Sequence, residues 1–311
     1  MLSRAHTTLP RRLLDSFWAT PAAVAGLLPT LRAYSGRVIH ERRNEHPQTL
    51  GWMGSLEVRL AQKAAEVRQA QKLRYRIFYK EGGAIADAAT KLARRDVDAF
   101  DPLCDHLLVI DHAPQMKSRL RRAPAVVGTY RLLRQEVAEP HGGFYSASEF
   151  DIRGLCARHE KMKFLELGRS CVLEPYRNKR TLELLWHGIG AYVSRTRPDV
   201  MIGCASLDGT DPDRLKMLLS FLHHFARAPE EWRTTALPHR YVEMNRMPKN
   251  AIDQKAALRA LPPLIKGYLR LGAYIGDGAV LDYQFGTTDV LIVLPVASIS
   301  RRYHAHFIPT V

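Results

Sequence analysis

Two apolar, strand-prone runs, each with charge set inside it, constrain the fold of this chain most. They are Val127-Gly128-Thr129-Tyr130-Arg131-Leu132-Leu133 and Phe164-Leu165-Glu166-Leu167-Gly168-Arg169-Ser170-Cys171-Val172. A charge inside an apolar strand is costly unless it is paired or used. Two further segments offer partners: Leu73-Arg74-Tyr75-Arg76-Ile77-Phe78 and the acidic run Asp96-Val97-Asp98-Ala99-Phe100-Asp101. The four together predict a sheet that carries a buried ionic site.

The remaining pattern fills in the sheet. Apolar residues recur at helical spacing over residues 56–80, which predicts an opening amphipathic helix. Residues 105–110 and 125–133 read as a strand hairpin joined by a basic turn over 117–122. Residues 164–173 read as a central strand, followed after Pro175 by a helix over 180–195. A strand over 200–207 leads to a helix over 214–226 whose first position suits Pro212, and a further helix runs from Leu261-Pro262-Pro263 to Gly272. Residues 279–285 and 289–296 close the pattern as strands. This mixed order predicts an α/β (α+β) sandwich around a mostly antiparallel sheet, and no Gly-x-Gly-x-x-Gly fingerprint suggests a dinucleotide. One domain over 55–300 is expected, with a basic arm over 1–54 and a short basic tail over 301–311.

Charge narrows the partners. Lys and Arg number 46 against 31 Asp and Glu, and a net charge of +15 calls for an anionic partner: nucleic acid, anionic lipid or an acidic protein. No base-stacking basic helix, zinc-finger spacing or RNA-binding signature is present, so nucleic acid is not expected. No run reaches the roughly 18 apolar residues that cross a bilayer. The arm is apolar over 19–33 between arginines, which predicts an interfacial or flexible segment. Cys104, Cys156, Cys171 and Cys204 form no Cys-x-x-Cys pair, and the chain reads as reduced and cytoplasmic. Cys171 reads as a small core residue.

The four segments, with Gly267-Tyr268-Leu269-Arg270-Leu271-Gly272-Ala273 and Thr287-Thr288-Asp289-Val290, resemble the acyl-carrier-protein-dependent branch of the acyl-CoA N-acyltransferase (GNAT) superfamily. Within it the resemblance is to the enzymes that acylate the α-amine of L-ornithine in ornithine-lipid synthesis, and more distantly to acyl-homoserine-lactone synthases. It runs from about residue 56 to about residue 296. It implies a GNAT-like three-layer sandwich and transfer of a 3-hydroxyacyl chain from acyl carrier protein to L-ornithine. It also implies peripheral attachment to the anionic inner membrane. No bound cofactor is expected, since the acyl-carrier thioester is a co-substrate.

Candidate roles follow from the residues and the resemblance together. Attack by an amine needs a base, and Glu166 lies where apolar neighbours raise its affinity for a proton. Ion pairing with Arg169 or Arg131 is the alternative for Glu166; the glutamate of the matching family strand is thought to assist deprotonation. Arg169 is grouped with Glu166 as catalytic. Asp98 and Asp101 could hold ammonium groups, and the resemblance assigns them, with Arg74 and Arg131, to acceptor binding; the arginines orient the acids. The family's glycine-rich phosphate turn corresponds here to Tyr176-Arg177-Asn178-Lys179-Arg180-Thr181, which has no glycine. Such a turn suits a single phosphopantetheine phosphate held by Arg177, Lys179 or Arg180, or else is a solvated helix start. Backbone N–H groups over 170–173 are the expected oxyanion donors. No metal is predicted: His40 with His46, and His223 with His224, are wrongly spaced for a helical site. A homoserine-lactone-synthase-like enzyme with another amine acceptor, and a non-enzymatic basic module on membrane or nucleic acid, remain open at this point.

Overall fold

A computed structural model describes residues 49–113 and 124–299. The expected basic turn over 117–122, the tail over 301–311 and all of the arm ahead of residue 49 lie outside the described residues. Among the described residues nine strands form one sheet: β1 (Thr49–Met53), β2 (Leu56–Leu60), β3 (Asp105–Asp111), β4 (Ala125–Arg134), β5 (Phe164–Val172), β6 (Val200–Asp208), β7 (Tyr274–Ile275), β8 (Val280–Asp282) and β9 (Thr287–Pro295). The α-helices are α1 (Ala64–Tyr75), α2 (Ala88–Ala93), α3 (Gln135–Ala138), α4 (Ile152–Arg158), α5 (Lys179–Thr196), α6 (Lys216–Ala226), α7 (Gln254–Ala260) and α8 (Pro263–Leu271).

The strand order is β1-β2-β3-β4-β5-β6-β9-β7, with β8 also on β9. Every pairing is antiparallel except β5 with β6. One face carries α5, α6 and α8: Leu184, Ile189, Leu222 and Ile265 pack with Leu107, Val109, Leu165 and Leu167 in one cluster. The opposite face carries α4, whose Ile152 and Leu155 pack with Phe164, Ile202 and Val293. Gly188 lets α5 press against the sheet, since a Cβ there would lie 2.5 Å from Val58 Cγ2. The three layers and the mostly antiparallel sheet match the expected fold class.

Four element boundaries differ from expectation. Residues 56–80 are not one helix: 56–60 form β2, α1 starts at Ala64, and a π-helical turn spans Arg76–Glu81. Leu56, Val58 and Leu60 fit a period of two as well as one of 3.6, and the sheet decides by pairing them with β3. Because β1 pairs with β2, the sheet already includes Thr49, ahead of the boundary at 55. The helix expected from residue 214 begins at Lys216, because Asp211 Oδ1 accepts from Asp213 N and Arg214 N and holds a turn there. The strand expected over 279–285 stops at Asp282, whose carboxylate accepts from Gln284 N and Phe285 N.

An opening in the sheet arises where two strands part. β5 and β6 pair only at Phe164↔Val200, Leu165↔Met201 and Glu166↔Ile202, although both run several residues further. Gly203 sits at the fork, where a Cβ would come 2.2 Å from the Leu167 carbonyl oxygen. Beyond it the facing edges of β5 and β6 form a wedge.

Candidate active site

On the other edge of β5, Thr129↔Cys171 and Arg131↔Gly168 leave Arg169 and Ser170 opposite Tyr130 alone, a β-bulge. Arg169 takes the left-handed conformation there, at φ 53°. A non-glycine residue so placed costs roughly 1–2 kcal/mol. In an uninterrupted strand residues 166 and 169 would face opposite sides. The bulge turns both to one side, where both meet Tyr145.

Glu166 Oε2 accepts from Tyr145 N and Oε1 from Ser146 N, each at 2.8 Å. It is 5% exposed. Burial raises its proton affinity above the ordinary carboxylate range, with the Ser146 and Tyr145 donors and Arg131 opposing. The carboxylate therefore both caps the Tyr145–Ser148 turn and retains lone pairs for a proton. The Arg169 guanidinium lies between the rings of Tyr145 (5.0 Å) and Phe285 (4.8 Å). Its Nη2 donates to Asp98 Oδ2 at 3.3 Å, and its buried Nε makes no hydrogen bond.

Behind Arg169 lies the predicted ionic network. Arg74 on α1, 1% exposed, donates through Nη1 and Nη2 to both oxygens of Asp101 (2.8 and 2.9 Å) and through Nε to Asp96 (2.7 Å). Arg131 on β4 holds both oxygens of Asp98 at 2.6 and 2.7 Å. Asp101 also accepts from Gln71 and from Arg131. Burial pushes Asp101 up, but the Arg74 hydrogen bonds and charge, with Arg131, bring it down to about 2. Burial likewise opposes the charge on Asp98, and Arg131 and Arg169 hold its carboxyl below the usual range. Arg74 and Asp101 are saturated by protein partners; Asp98, at 21% side-chain exposure, is the accessible acid of the group. Asp96, which carried no role in the sequence reading, completes the network.

The residues missed from sequence lie across Tyr145. Glu149, Asp282 and Asp289 offer oxygens within 4.8 Å of one another. Cys204 Sγ on β6 donates to Glu149 Oε2 at 3.2 Å, and Thr287 Oγ1 donates to Asp289. Burial, then the neighbouring Asp289, pushes Glu149 up to about 6. Burial also raises Asp289, against hydrogen bonds from Ser206 and Thr287. Arg240 lies 3.7 Å from Glu149, the one cation paired with these three acids among the described residues. Such a cluster suits an ammonium group or a metal cation. Thr287-Thr288-Asp289 was a motif in the sequence, but Glu149 stands in a turn and Asp282 at the end of β8, and no spacing reveals their approach.

The basic turn before α5 differs in character from the network. Arg177 Nη2 is 2.6 Å from Glu81 and its Nε donates to Val172 O; Lys179 pairs with Glu183 at 3.5 Å; Arg180 donates to Met53 O at 3.3 Å. Each of the three cations thus has a protein partner. Asn178 caps α5, accepting from Thr181 N. The Leu173 amide is committed to Val127 O, which removes it from the expected oxyanion donors. Cys171 is buried, and burial pushes its thiol up to about 12, as suits a core residue. No helix among the described residues is long and apolar enough to cross a membrane.

The family described as "Acetyltransferase (GNAT) domain" matches residues 73–187, which span Arg74, the acidic run, Arg131, Glu166 and the turn before α5. An L-ornithine N(alpha)-acyltransferase of Agrobacterium fabrum is 52% identical over 267 residues, covering 86% of this chain and 90% of its own. One from Brucella abortus is 53% identical over 258 residues, covering 83% and 90%. Among solved structures, FeeM, an N-acyl amino acid synthase from uncultured soil microbes, overlaps 78% of this chain and 91% of its own at 12% identity and a TM-score of 0.41, too loose a likeness to carry function. On the strength of the sequence relatives, the chain belongs to the L-ornithine N(alpha)-acyltransferase family of acyltransferases.

Proposed function

We propose that this acyltransferase moves a 3-hydroxyacyl chain from the phosphopantetheine thioester of an acyl carrier protein to the α-amine of L-ornithine, forming a lyso-ornithine lipid. The reading places one acyltransferase domain, with a basic arm before it and a tail after it, in the cytoplasm against the anionic inner membrane. The names of the relatives support ornithine as acceptor.

The observation that carries the reading is the charge balance around Tyr145. Arg74, Arg131 and Arg169 are matched by Asp96, Asp98 and Asp101. Glu149, Glu166, Asp282 and Asp289 then remain in surplus, with Arg240 as their one ion-pair partner among the described residues. A buried anionic surplus favours a cationic guest, and ornithine brings two ammonium groups and one carboxylate. In this reading Asp98 and the Glu149 cluster hold the ammonium groups and Arg169 takes the carboxylate, while Arg74, Asp101 and Arg131 position them. The thioester lies in the wedge between β5 and β6, and Arg177, Lys179 and Arg180 flank its phosphate alongside the N-terminus of α5.

Glu166 accepts a proton from the α-ammonium. The freed lone pair attacks the thioester carbonyl, the C–N bond forms, the C–S bond breaks, and the carrier thiolate leaves to take up a proton. The test is to incubate the protein with 3-hydroxypalmitoyl carrier protein and ornithine, lysine, glutamine or S-adenosylmethionine, and to read products by mass spectrometry. Ornithine amide should dominate; a dominant product from another acceptor would overturn the assignment.

A further inference from the structure

Six large apolar side chains stand exposed among the described residues, and three of them fall within 85–97: Ile85 (68%), Leu92 (89%) and Val97 (50%). A fourth, Tyr283 (69%), is brought beside Ile85 by the hydrogen bond from Ile85 N to Gln284 O at 2.7 Å. Scattered exposed apolar residues need no explanation, but a concentration on one short segment does.

Basic groups outnumber acids at the exposed surface of this segment. Lys80, Lys91 and Arg94 are exposed, while Glu81 sits between Arg76 and Arg177, Asp96 is buried in the ionic network, and the exposed Asp87 caps α2 by accepting from Thr90 N. Leu92 thus stands on a short helix between Lys91 and Arg94, an apolar tip in a cationic collar. That combination matches an anionic bilayer surface, where apolar groups enter the headgroup region and basic groups meet lipid phosphates. An acidic carrier protein would also meet the collar, so it is tested beside the vesicles.

The segment also borders the candidate active site. It runs directly into Asp96 and Asp98, and Tyr283 and Gln284 precede Phe285, whose ring stacks on Arg169 and meets Phe78 and Tyr79. An acylated amino acid with a long chain partitions strongly out of water, so its exit needs a bilayer at the mouth of the site.

We infer that residues 82–97, with Tyr283, form the face by which the protein rests on an anionic membrane and releases its amphiphilic product into it. This rests on the acylation reading only for the nature of the product. The experiment is hydrogen exchange on the full chain, with and without phosphatidylglycerol vesicles, with phosphatidylcholine vesicles, and with acyl carrier protein instead. Slowed exchange over 82–97 with the anionic vesicles is expected, lost in the I85E/L92E variant together with about tenfold of vesicle affinity. Transfer from a short-chain carrier thioester in solution should be unchanged in that variant. Absent protection over 82–97, protection that survives the double substitution, or protection by carrier protein alone would overturn the inference. Failure of the unaltered chain to acylate ornithine from the short-chain donor would instead count against the acylation reading and leave the vesicle result standing.

Discussion

Glu166 and Arg169, three residues apart on one strand, meet the same residue: the Glu166 carboxylate receives the Tyr145 amide while the Arg169 guanidinium lies 5.0 Å from the Tyr145 ring. The bulge at residues 169 and 170 makes this possible. Tyr145 is therefore the hinge between the arginine–aspartate network and the carboxylates Glu149, Asp282 and Asp289.

The bulge carries a cost that can be measured. R169G relieves the left-handed strain of about 1 kcal/mol but removes the bonds to Asp98 and both ring contacts. The expected result is near-neutral stability in urea with ornithine KM raised at least about tenfold. R169K keeps the strain and loses the planar fork, so it should be the less stable of the two.

Breaking the buried network should unfold more than it inactivates. R74A removes the principal cation from Asp96 and Asp101, at 3% and 4% side-chain exposure, and leaves Asp101 only Gln71 and Arg131 as side-chain donors. A loss of about 3–5 kcal/mol is expected in denaturant titration. A loss under about 1 kcal/mol would mean the network is not holding the fold.

Acid stability should follow Asp101. Its folded pKa is about 2, below the ordinary 3.8. The contribution it makes is therefore present above pH 4 and is lost as pH falls toward 2, to the extent of about 2 kcal/mol. Comparison of D101N with the unaltered chain at pH 3 and pH 6 should show the gap closing at the lower pH.

Glu149 should behave in the opposite sense. Its folded pKa is about 6, above the ordinary 4.5, so the stability it lends is present below pH 4.5 and is lost as pH rises through 6. E149Q should accordingly gain about 1–2 kcal/mol on the unaltered chain between pH 5 and pH 8. Its ornithine KM should rise more than its kcat falls, and chelation of divalent metals should leave turnover unchanged, since the cluster is assigned to an ammonium group.

The fold was legible where period and length agree. The strands read over 125–133 and 164–173, the helix read over 180–195 and the stop at Gly272 are met by Ala125–Arg134, Phe164–Val172, Lys179–Thr196 and Pro263–Leu271, because apolar strand runs, helical periodicity and a C-terminal glycine each act locally. Residues 56–60 were misread because five residues satisfy both periods, and pairing with β3 decides between them. Arg74, Arg131, Asp98 and Asp101 could be gathered from sequence because buried charges must find partners. Glu149 could not, since it meets Cys204 through tertiary contact alone. Nor could the bulge be read: Gly168-Arg169-Ser170 offers a glycine, yet the left-handed position falls on the arginine beside it.

The central claim is that Glu166 takes the proton that frees the acceptor amine, and the pH profile of single-turnover acyl transfer from 3-hydroxyacyl carrier protein to ornithine tests it most directly. E166Q also sets its amide against one of two backbone N–H groups, so its folding must be verified by circular dichroism beside the assay. The account predicts a fall in turnover of at least about 100-fold in folded E166Q and loss of the basic dependence on pH seen in the unaltered chain. Turnover within about threefold of the unaltered chain, with the same pH dependence, would contradict it.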